Sequence, residues 1–505
     1  MVATFRVMFA VLALWMGVIT SLRVQRLVAH SLPRSFSLSS SVPSSSSSFE
    51  DSSFNASSGA GKQGFVAVDE VLISSGGWGN FQRRLAWKLG LNYAFIGADM
   101  LLPAFLVPSL ASSFSSWHLT PLQQQMISSI WFSGALISYF ITGAMGDSFG
   151  RKPILIFCAS IRTVSALLMG FSPTFPVLLL SRFLSSVGAA GSFNTMLPLL
   201  FEFTPPANRA KCKQFLALLW NAGVFYMSIS AYFLSKRSWR FLSAAFIPSI
   251  PLLLWLSQDL KESPKFLQSF GRQEEAQLVL RHVATVNGRF QEAISDISRL
   301  KRPIFSSSFK SGVFSTGYRS IFTPKLFKTT AVIATLNLIL TLTYYGLAFG
   351  GSSDGLVKGH NVFAEQIAAS LFEIPGILLL SPLANTLGRK ASMIILLLAF
   401  AASCIALGIL PSSSSSLRFL AYLCARLSGQ ATSNLKWILN AEAYPTSCRA
   451  AGLSFASIAG QIGGILGPTL IASSRLSPST LFAVFLLTTA ASLMLLKETK
   501  GEFIE

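Results

Sequence analysis

Gly143-Ala-Met-Gly-Asp-Ser-Phe-Gly-Arg-Lys152 is a polar knot between two long apolar stretches, and a partial copy, Ser381-Pro-Leu-Ala-Asn-Thr-Leu-Gly-Arg-Lys390, lies 238 residues further on. Two other pairs keep nearly the same spacing. Glu202-Phe-Thr-Pro-Pro-Ala-Asn-Arg209 matches Glu442-Ala-Tyr-Pro-Thr-Ser-Cys-Arg449, and Glu262-Ser-Pro-Lys265 loosely matches Glu498-Thr-Lys-Gly501. The chain therefore reads as a duplication, two hydrophobic halves punctuated by the same charged turns.

With 505 residues, 51% hydrophobic and only 12% charged, at a mean hydropathy of +0.56, the chain carries more apolar surface than a soluble globule can bury. Its solvent is expected to be the lipid bilayer. Two apolar halves in parallel repeat are what a membrane carrier should show. The net charge of +20 would fit nucleic acid in a soluble protein. Here the basic residues fall mostly in turns between apolar spans, the pattern that orients a membrane protein, so no nucleic-acid partner is expected. Cys158, Cys212, Cys404, Cys424 and Cys448 lack framework spacing, which predicts neither a disulfide nor a metal site. The four histidines are scattered, and no glycine-rich loop leads into Lys-Ser or Lys-Thr. Neither a hydrolase triad nor ATP hydrolysis is supported, no cofactor is expected, and the chain is not read as an enzyme. Energy must come from an ion gradient or from the substrate's own gradient.

Along the chain, residues 1–62 read as a tail. Val7 to Leu22 is a sixteen-residue apolar run, short for a bilayer crossing, followed by Arg23, Arg26 and Arg34 and a serine-dense stretch. This is the composition of an organelle address, plastid-like, or of a secretory one, with a disordered tail as the alternative. Asn55-Ala-Ser57 is a glycosylation sequon if the tail enters a secretory lumen. A first half, 63–257, holds six spans near 88–109, 124–145, 153–171, 176–200, 211–234 and 239–256. A polar linker, 258–328, carries a helical pattern from Gln273 to Leu280. The second half, 329–505, holds spans near 329–350, 362–385, 391–410, 416–440, 447–473 and 478–496. Lys and Arg concentrate in alternate loops, which puts the linker in the cytosol. Lys236, Arg237 and Arg240 are the one cluster on the wrong side.

At this point the motifs carry a resemblance. Gly143, Asp147, Gly150, Arg151 and Lys152 stand as in the signature loop after the second span of the major facilitator superfamily, and Gly388, Arg389 and Lys390 stand where that family repeats it. The resemblance implies a latch between bundle halves that breaks and reforms during transport. Asn385 replaces the acid in the second copy, leaving one charged latch. Glu262-Ser-Pro-Lys-Phe-Leu267, Glu442-x-Tyr-Pro-Thr-x-x-Arg449 and Glu498-Thr-Lys-Gly501 resemble signatures shared by sugar porters and organic-ion transporters. Gly76 to Gln82, Ala98-Asp-Met100, Tyr344-Tyr-Gly346 and Glu373-Ile-Pro-Gly376 are more similar to the organic-ion branch, which includes synaptic-vesicle-protein-related and niacin-transporter-like proteins. The seventh span lacks the glutamine pair expected of a sugar porter.

Ionisable residues inside spans are costly, so each is a candidate for substrate or proton contact. Asp99 reads either as a lock to a neighbouring helix or as a contact for substrate or a coupling proton. Glu373, before Pro375 and Gly376, reads as a pairing group at a helix break or as a proton-coupling acid. The resemblance links Arg182 to proton coupling or to substrate anions, makes Arg426 its repeat mate, and adds Tyr344. Arg162 and Lys436 could receive a carboxylate or pair with Asp99 or Glu373. Glu202, Arg209, Glu442 and Arg449 read as cytosolic locks. The expectation is an all-α membrane protein, twelve transmembrane helices in two six-helix bundles of the major facilitator fold. It should work as a monomer that moves a small organic ion, preferably an anion, with H+ as a possible partner. A sugar porter and a transport-inactive receptor or scaffold are the alternatives.

Overall fold

The computed structural model describes residues 67–495, apart from 112–116, 118, 236–237, 301–318, 351–361, 412, 446–447 and 474–477. The tail with its apolar run and sequon, Lys236, Arg237 and the Glu498 motif lie outside the described residues. Helices carry the fold, and no strand occurs among the described residues.

Short α1 (Val68–Ser74) leads into α2 (Asn80–Leu101), which continues after Leu102 as α3 (Pro103–Ala111). The sequence reading started this span at Lys88. The helix begins eight residues earlier, because Lys88 is buried on its side, paired with Asp259 and held 4.6 Å over the Trp255 ring. α4 (Pro121–Phe149) opens on a reciprocal cap: Thr120 Oγ1 accepts from the Gln123 N–H, and Gln123 Oε1 from the Thr120 N–H. α5 (Arg151–Leu168), α6 (Phe175–Glu202) and α7 (Arg209–Leu234) follow. The sixth span joins a 3₁₀ segment, Trp239–Phe246, to α8 (Ser249–Asp259). Arg240, one of the three basic residues on the far side, donates to the carbonyls of Gly170 (3.1 Å) and Ser172 (2.9 Å), closing the end of the third span. That duty accounts for a cation there.

The linker forms α9 (Pro264–Ser269), α10 (Gln273–Val286) and α11 (Phe290–Ser298). Asn287 ties it to the start of the first span, accepting from the Phe81 N–H (2.9 Å) and donating to the Ser75 carbonyl (2.8 Å) and Gln82 (3.0 Å). The second half is α12 (Pro324–Gly350), α13 (Val362–Leu387), α14 (Arg389–Ile409), α15 (Ser415–Glu442), α16 (Arg449–Ser473) and α17 (Pro478–Leu493). Among the described residues nine helices are long and apolar enough to cross a bilayer. α13 and α15, at 26 and 28 residues, and the shorter apolar α17 complete the twelve. α15 is less apolar because it carries Arg418, Arg426 and Lys436.

Each half has its own apolar core, one running from Val68 to Leu300 and one from Ile321 to Leu493, with Ala348 and Phe349 at the end of α12 joining the first. The halves meet along α4 with α16 and α7 with α13, where Ser129 donates to the Ile465 carbonyl (3.0 Å) and Gln214 to the Ile377 carbonyl (3.4 Å). Away from the linker, rings close the gap between them: Phe105 stacks on Phe363 at 5.5 Å, and Phe132 meets Tyr345 at 5.2 Å.

α13 shows no break at Pro375-Gly376 but runs unbroken from Val362 to Leu387. A Cβ on Gly376 would lie 2.7 Å from the Leu427 carbonyl, so the glycine serves a close approach of α13 to α15, and that packing holds the helix through the proline.

Candidate functional site

Two buried ion pairs repeat one plan in the two halves. In the first, Arg182 on α6 meets Asp99 on α2 at 2.6 Å and also donates to the Asp99 carbonyl at 3.0 Å. Trp131 Nε1 on α4 (2.9 Å) and Ser185 Oγ (2.8 Å) donate to the other carboxylate oxygen. In the second, Arg426 on α15 meets Glu373 on α13 at 2.7 Å, the Tyr344 hydroxyl on α12 donates to the same oxygen at 2.8 Å, and Asn221 Nδ2 on α7 donates to the other at 2.9 Å. Arg182 and Arg426, Asp99 and Tyr344, and Trp131 and Glu373 stand on corresponding helices of the two halves, within one to two helical turns of the repeat spacing of the motifs. The acid and the aromatic have therefore exchanged helices around a common arginine. All four charged groups are almost fully buried, and in low dielectric only such pairing makes that tolerable.

Between the halves lies a cavity of about 120 Å³. Tyr93, Ile96, Met100, Trp131, Phe193 and Trp220 give the first half's side an apolar, ring-rich wall. Across from them, Thr341, Tyr344, Gln430, Asn434, Lys436 and Gln461 give a polar wall. No Asp or Glu lines it among the described residues. Of the seven substrate or proton candidates, Tyr344 and Lys436 reach the cavity wall. The ion pairs stand one residue behind it, Asp99 behind Trp131 and Glu373 behind Tyr344. Arg162 is buried at 1% exposure, donating to Asn92 Oδ1 at 3.2 Å, while its Nε and Nη1 find no partner among the described residues.

Lys436 Nζ lies 3.4 Å from Thr341 Oγ1 and 5.9 Å from the Trp437 ring. Lys213 approaches the same ring at 5.4 Å, with Tyr93 at 5.7 Å and Phe193 at 5.6 Å. The sequence places Lys213 at the start of the 211–234 span, where it counts among the basic residues that orient the chain, and nothing in its neighbours marks it otherwise. It sits in the second turn of α7, and the rings that surround it come from α2, α6 and α15. Among the described residues no carboxylate pairs with Lys213 or Lys436.

At the linker end the motif residues form a network within each half. Gly150, with φ +102°, turns the chain between α4 and α5, and Gly388, with φ +91°, does so between α13 and α14. Arg151 meets Glu202 at 3.1 Å and Asp147 at 3.2 Å, and its repeat mate Arg389 meets Glu442 at 3.2 Å. Glu262 of the linker caps α5, accepting from the N–H groups of Arg151 (3.1 Å) and Lys152 (3.2 Å). Burial pushes the Glu262 carboxyl up from its ordinary value, against the pull of those donors, the Ser263 N–H and the Arg151 charge. Two pairings differ from the sequence reading: Asp147 bonds within its own half, and Arg209 reaches Asp69 of α1 at 3.3 Å, while Glu202 pairs with Arg151 instead. Asp69 also receives Lys265 of the linker at 2.8 Å. Gly143 meets only Asn194 where a side chain would stand, Lys390 donates to the Met494 carbonyl at 3.0 Å, and the Arg449 side chain lies outside the described residues.

Residues 86–505 match the sugar (and other) transporter family. Organic cation/carnitine transporter 7 of Arabidopsis thaliana is 27% identical over 459 residues, spanning 79% of this chain and 87% of that protein. The synaptic vesicle 2-related protein of Xenopus laevis is 26% identical, spanning 86% of this chain and 82% of its own. Among solved structures, the xylose transporter XylE from E. coli in a partially occluded inward-open conformation superposes with a TM-score of 0.68 at 16% identity, over 86% of this chain and all of that one.

Proposed function

We propose, for a chain that belongs to the sugar (and other) transporter family of the major facilitator superfamily, a secondary active carrier that moves a small organic anion by alternating access, driven by an ion gradient. The observation that carries the sign of the substrate is the placement of Lys213 and Lys436 around Trp437 with no acid beside them. The two acids behind the wall, Asp99 and Glu373, are already neutralised by arginines, so positive charge at the cavity is unmatched until a carboxylate arrives. The ring-rich wall would also suit a cation. Two ammonium groups against those rings already supply that charge and would repel a second.

The rings on one wall and the amide and hydroxyl groups on the other favour an acid with an apolar or aromatic body and hydrogen-bonding groups near its carboxylate. One chain provides both walls, so the working unit is a monomer. Gly143, Asp147, Gly150, Arg151, Lys152, Glu202 and Arg209, with Gly388, Arg389, Lys390, Glu442 and Arg449, form the gating set at the linker end, and residues 1–62 direct the chain to an organelle or secretory membrane. The test is uptake into proteoliposomes of labelled carboxylates, quaternary amines and hexoses, with and without a pH gradient. Carriage of carboxylates supports the reading, and carriage of hexoses alone overturns it in favour of a sugar porter.

A further inference from the structure

We propose that Glu373 is the residue that binds the coupling proton and that Asp99, its counterpart in the other half, remains a fixed negative charge. This rests on the reading of the chain as an ion-driven carrier. The two sites share an arginine and a carboxylate but differ in what separates the acid from the cavity. Tyr344 stands between the cavity and Glu373, and its hydroxyl both donates and accepts. A proton arriving from cavity water forms a new O–H bond at the Tyr344 oxygen. The hydroxyl's own proton crosses the existing 2.8 Å hydrogen bond to Glu373 Oε1, and the phenol is regenerated with no change in electron count. Trp131 stands between the cavity and Asp99, and an indole N–H only donates. The indole gives Asp99 no relay of that kind.

The partners of the two acids differ in the same sense. When the protonated carboxyl turns over, its O–H leaves the Tyr344 side for the Asn221 side and needs an acceptor there. The Asn221 amide beside Oε2 supplies one by turning over, since its oxygen and nitrogen exchange places at little cost. Asp99 instead meets Arg182 and Trp131, which are donors in every state, and only Ser185 could accept. Charge points the same way. Arg162 is held by Asn92, two turns before Asp99 on α2, so neutralising that acid leaves two guanidinium groups on one face of α2 without a carboxylate, whereas neutralising Glu373 leaves one. The charged or titratable groups that face Glu373 are Arg426 and Tyr422 on α15 and Tyr344 and Tyr345 on α12. α7 brings Asn221, and α14 brings Arg389 and Lys390 only in its first turn at the linker end.

Two consequences join proton binding to transport. Asn221 belongs to the first half and Glu373 to the second, so protonation rearranges a hydrogen bond across the interface that must open and close. It also leaves Arg426, 4.8 Å from the Tyr344 ring, without its acid just behind the cavity wall. The site then favours an anion, and one proton with one carboxylate crosses with no net charge.

The test uses the full chain in lipid nanodiscs and no substrate. Infrared difference spectra recorded across a pH titration in a Glu365→Gln background, which removes the other buried acid of α13, should show the high-frequency band of a protonated buried carboxyl with or without Asp99→Asn, and that band should vanish when Glu373→Gln is added. After a pH jump, Tyr344→Phe should slow the appearance of the band about tenfold or more without changing its final height. Spin labels at Lys211 and Leu387, in a Cys424→Ser background, should change separation between acid and alkaline buffer. Because Glu373→Gln strands Arg426 and can fail to fold, Asn221→Leu, which leaves the ion pair intact, carries the second arm: the band should persist while the pH-dependent change in separation is lost. A band lost in Asp99→Asn and kept in Glu373→Gln would overturn the proposal, as would an unchanged label response in Asn221→Leu. A failed substrate panel leaves these readouts untouched, and their failure leaves the anion reading untouched.

Discussion

Gly223→Ala tests the repeat where it is tightest. A Cβ on Gly223 in α7 would stand 2.7 Å from the Cα of Ala94 in α2, with the Ala94 carbonyl closer still. The repeat mate Gly463 in α16 faces Leu338 in α12 in the same way, with a Cβ 2.9 Å from the carbonyl carbon. These are backbone atoms and cannot rotate aside. Ordinary contact starts at 3.4 Å, so the two helices must part by about 0.7 Å for the Cα alone and further for the carbonyl. Forcing a methyl into a packed interface costs about 1–3 kcal/mol. The strain falls on helices whose Tyr93, Ile96, Ala217 and Trp220 line the cavity. Gly223→Ala and Gly463→Ala should each lower the thermal unfolding midpoint in nanodiscs and reduce transport, and the double variant should lose about the sum, because the two contacts lie in separate halves. Gly143→Ala is the control, since its Cβ would meet only Asn194 Nδ2 at 3.4 Å. If Gly223→Ala is as stable as Gly143→Ala, the steric reasoning is wrong.

Three further outcomes are expected. Lys436→Gln and Lys213→Gln should each raise the KM for a carried carboxylate about tenfold, equivalent to about 1.4 kcal/mol, and change that of a neutral substrate far less; equal effects on both would remove the electrostatic role. Asp147→Asn should slow transport without lowering the unfolding midpoint, since this carboxylate is 64% exposed and Arg151 keeps Glu202; normal transport at normal expression would count against the gating role. Glu262→Ala should leave the first N–H groups of α5 without an acceptor, at about 1–3 kcal/mol, and hydrogen exchange at Arg151 and Lys152 should accelerate.

The fold was legible because duplicated polar turns need no knowledge of packing: Gly150-Arg151-Lys152 and Gly388-Arg389-Lys390 mark the same turn twice. The buried charges were legible as individuals, since any ion in an apolar run stands out against its neighbours. Their pairing was not. Asp99 with Arg182 and Glu373 with Arg426 depend on which helix faces touch, and the exchange of acid and aromatic between the halves emerges only when Trp131 and Tyr344 are placed beside those pairs. Lys213 was missed for a related reason. Charge in the first turns of a span reads as interfacial, and what sets this lysine apart is three rings, Tyr93, Phe193 and Trp437, from three other helices. Pro375 misled because local rules predict a break that the contact of Gly376 with Leu427 prevents.

Arg162 separates a buried charge that supports the fold from one that is kept for another purpose. Removing Arg182 strands Asp99 in a dry interior, and breaking such a pair costs about 3–5 kcal/mol. Arg162 has one hydrogen bond, to Asn92, a ring contact with Phe95 at 5.7 Å, and two guanidinium nitrogens without a partner among the described residues, so it bears desolvation with little local return. Arg162→Met, of similar length and apolar, should therefore cost less than about 1 kcal/mol or stabilise the protein, whereas Arg182→Met should lower the unfolding midpoint markedly. The return for Arg162 is expected at Asp99. With the second guanidinium gone, the two acids stand in equivalent charge environments, one arginine each, and a second carboxyl band should enter the infrared titration of Arg162→Met alongside that of Glu373. If Arg162→Met destabilises as strongly as Arg182→Met, Arg162 is a structural partner. If no second band appears, the charge count is not what keeps Asp99 ionised, and the indole of Trp131 must account for it alone.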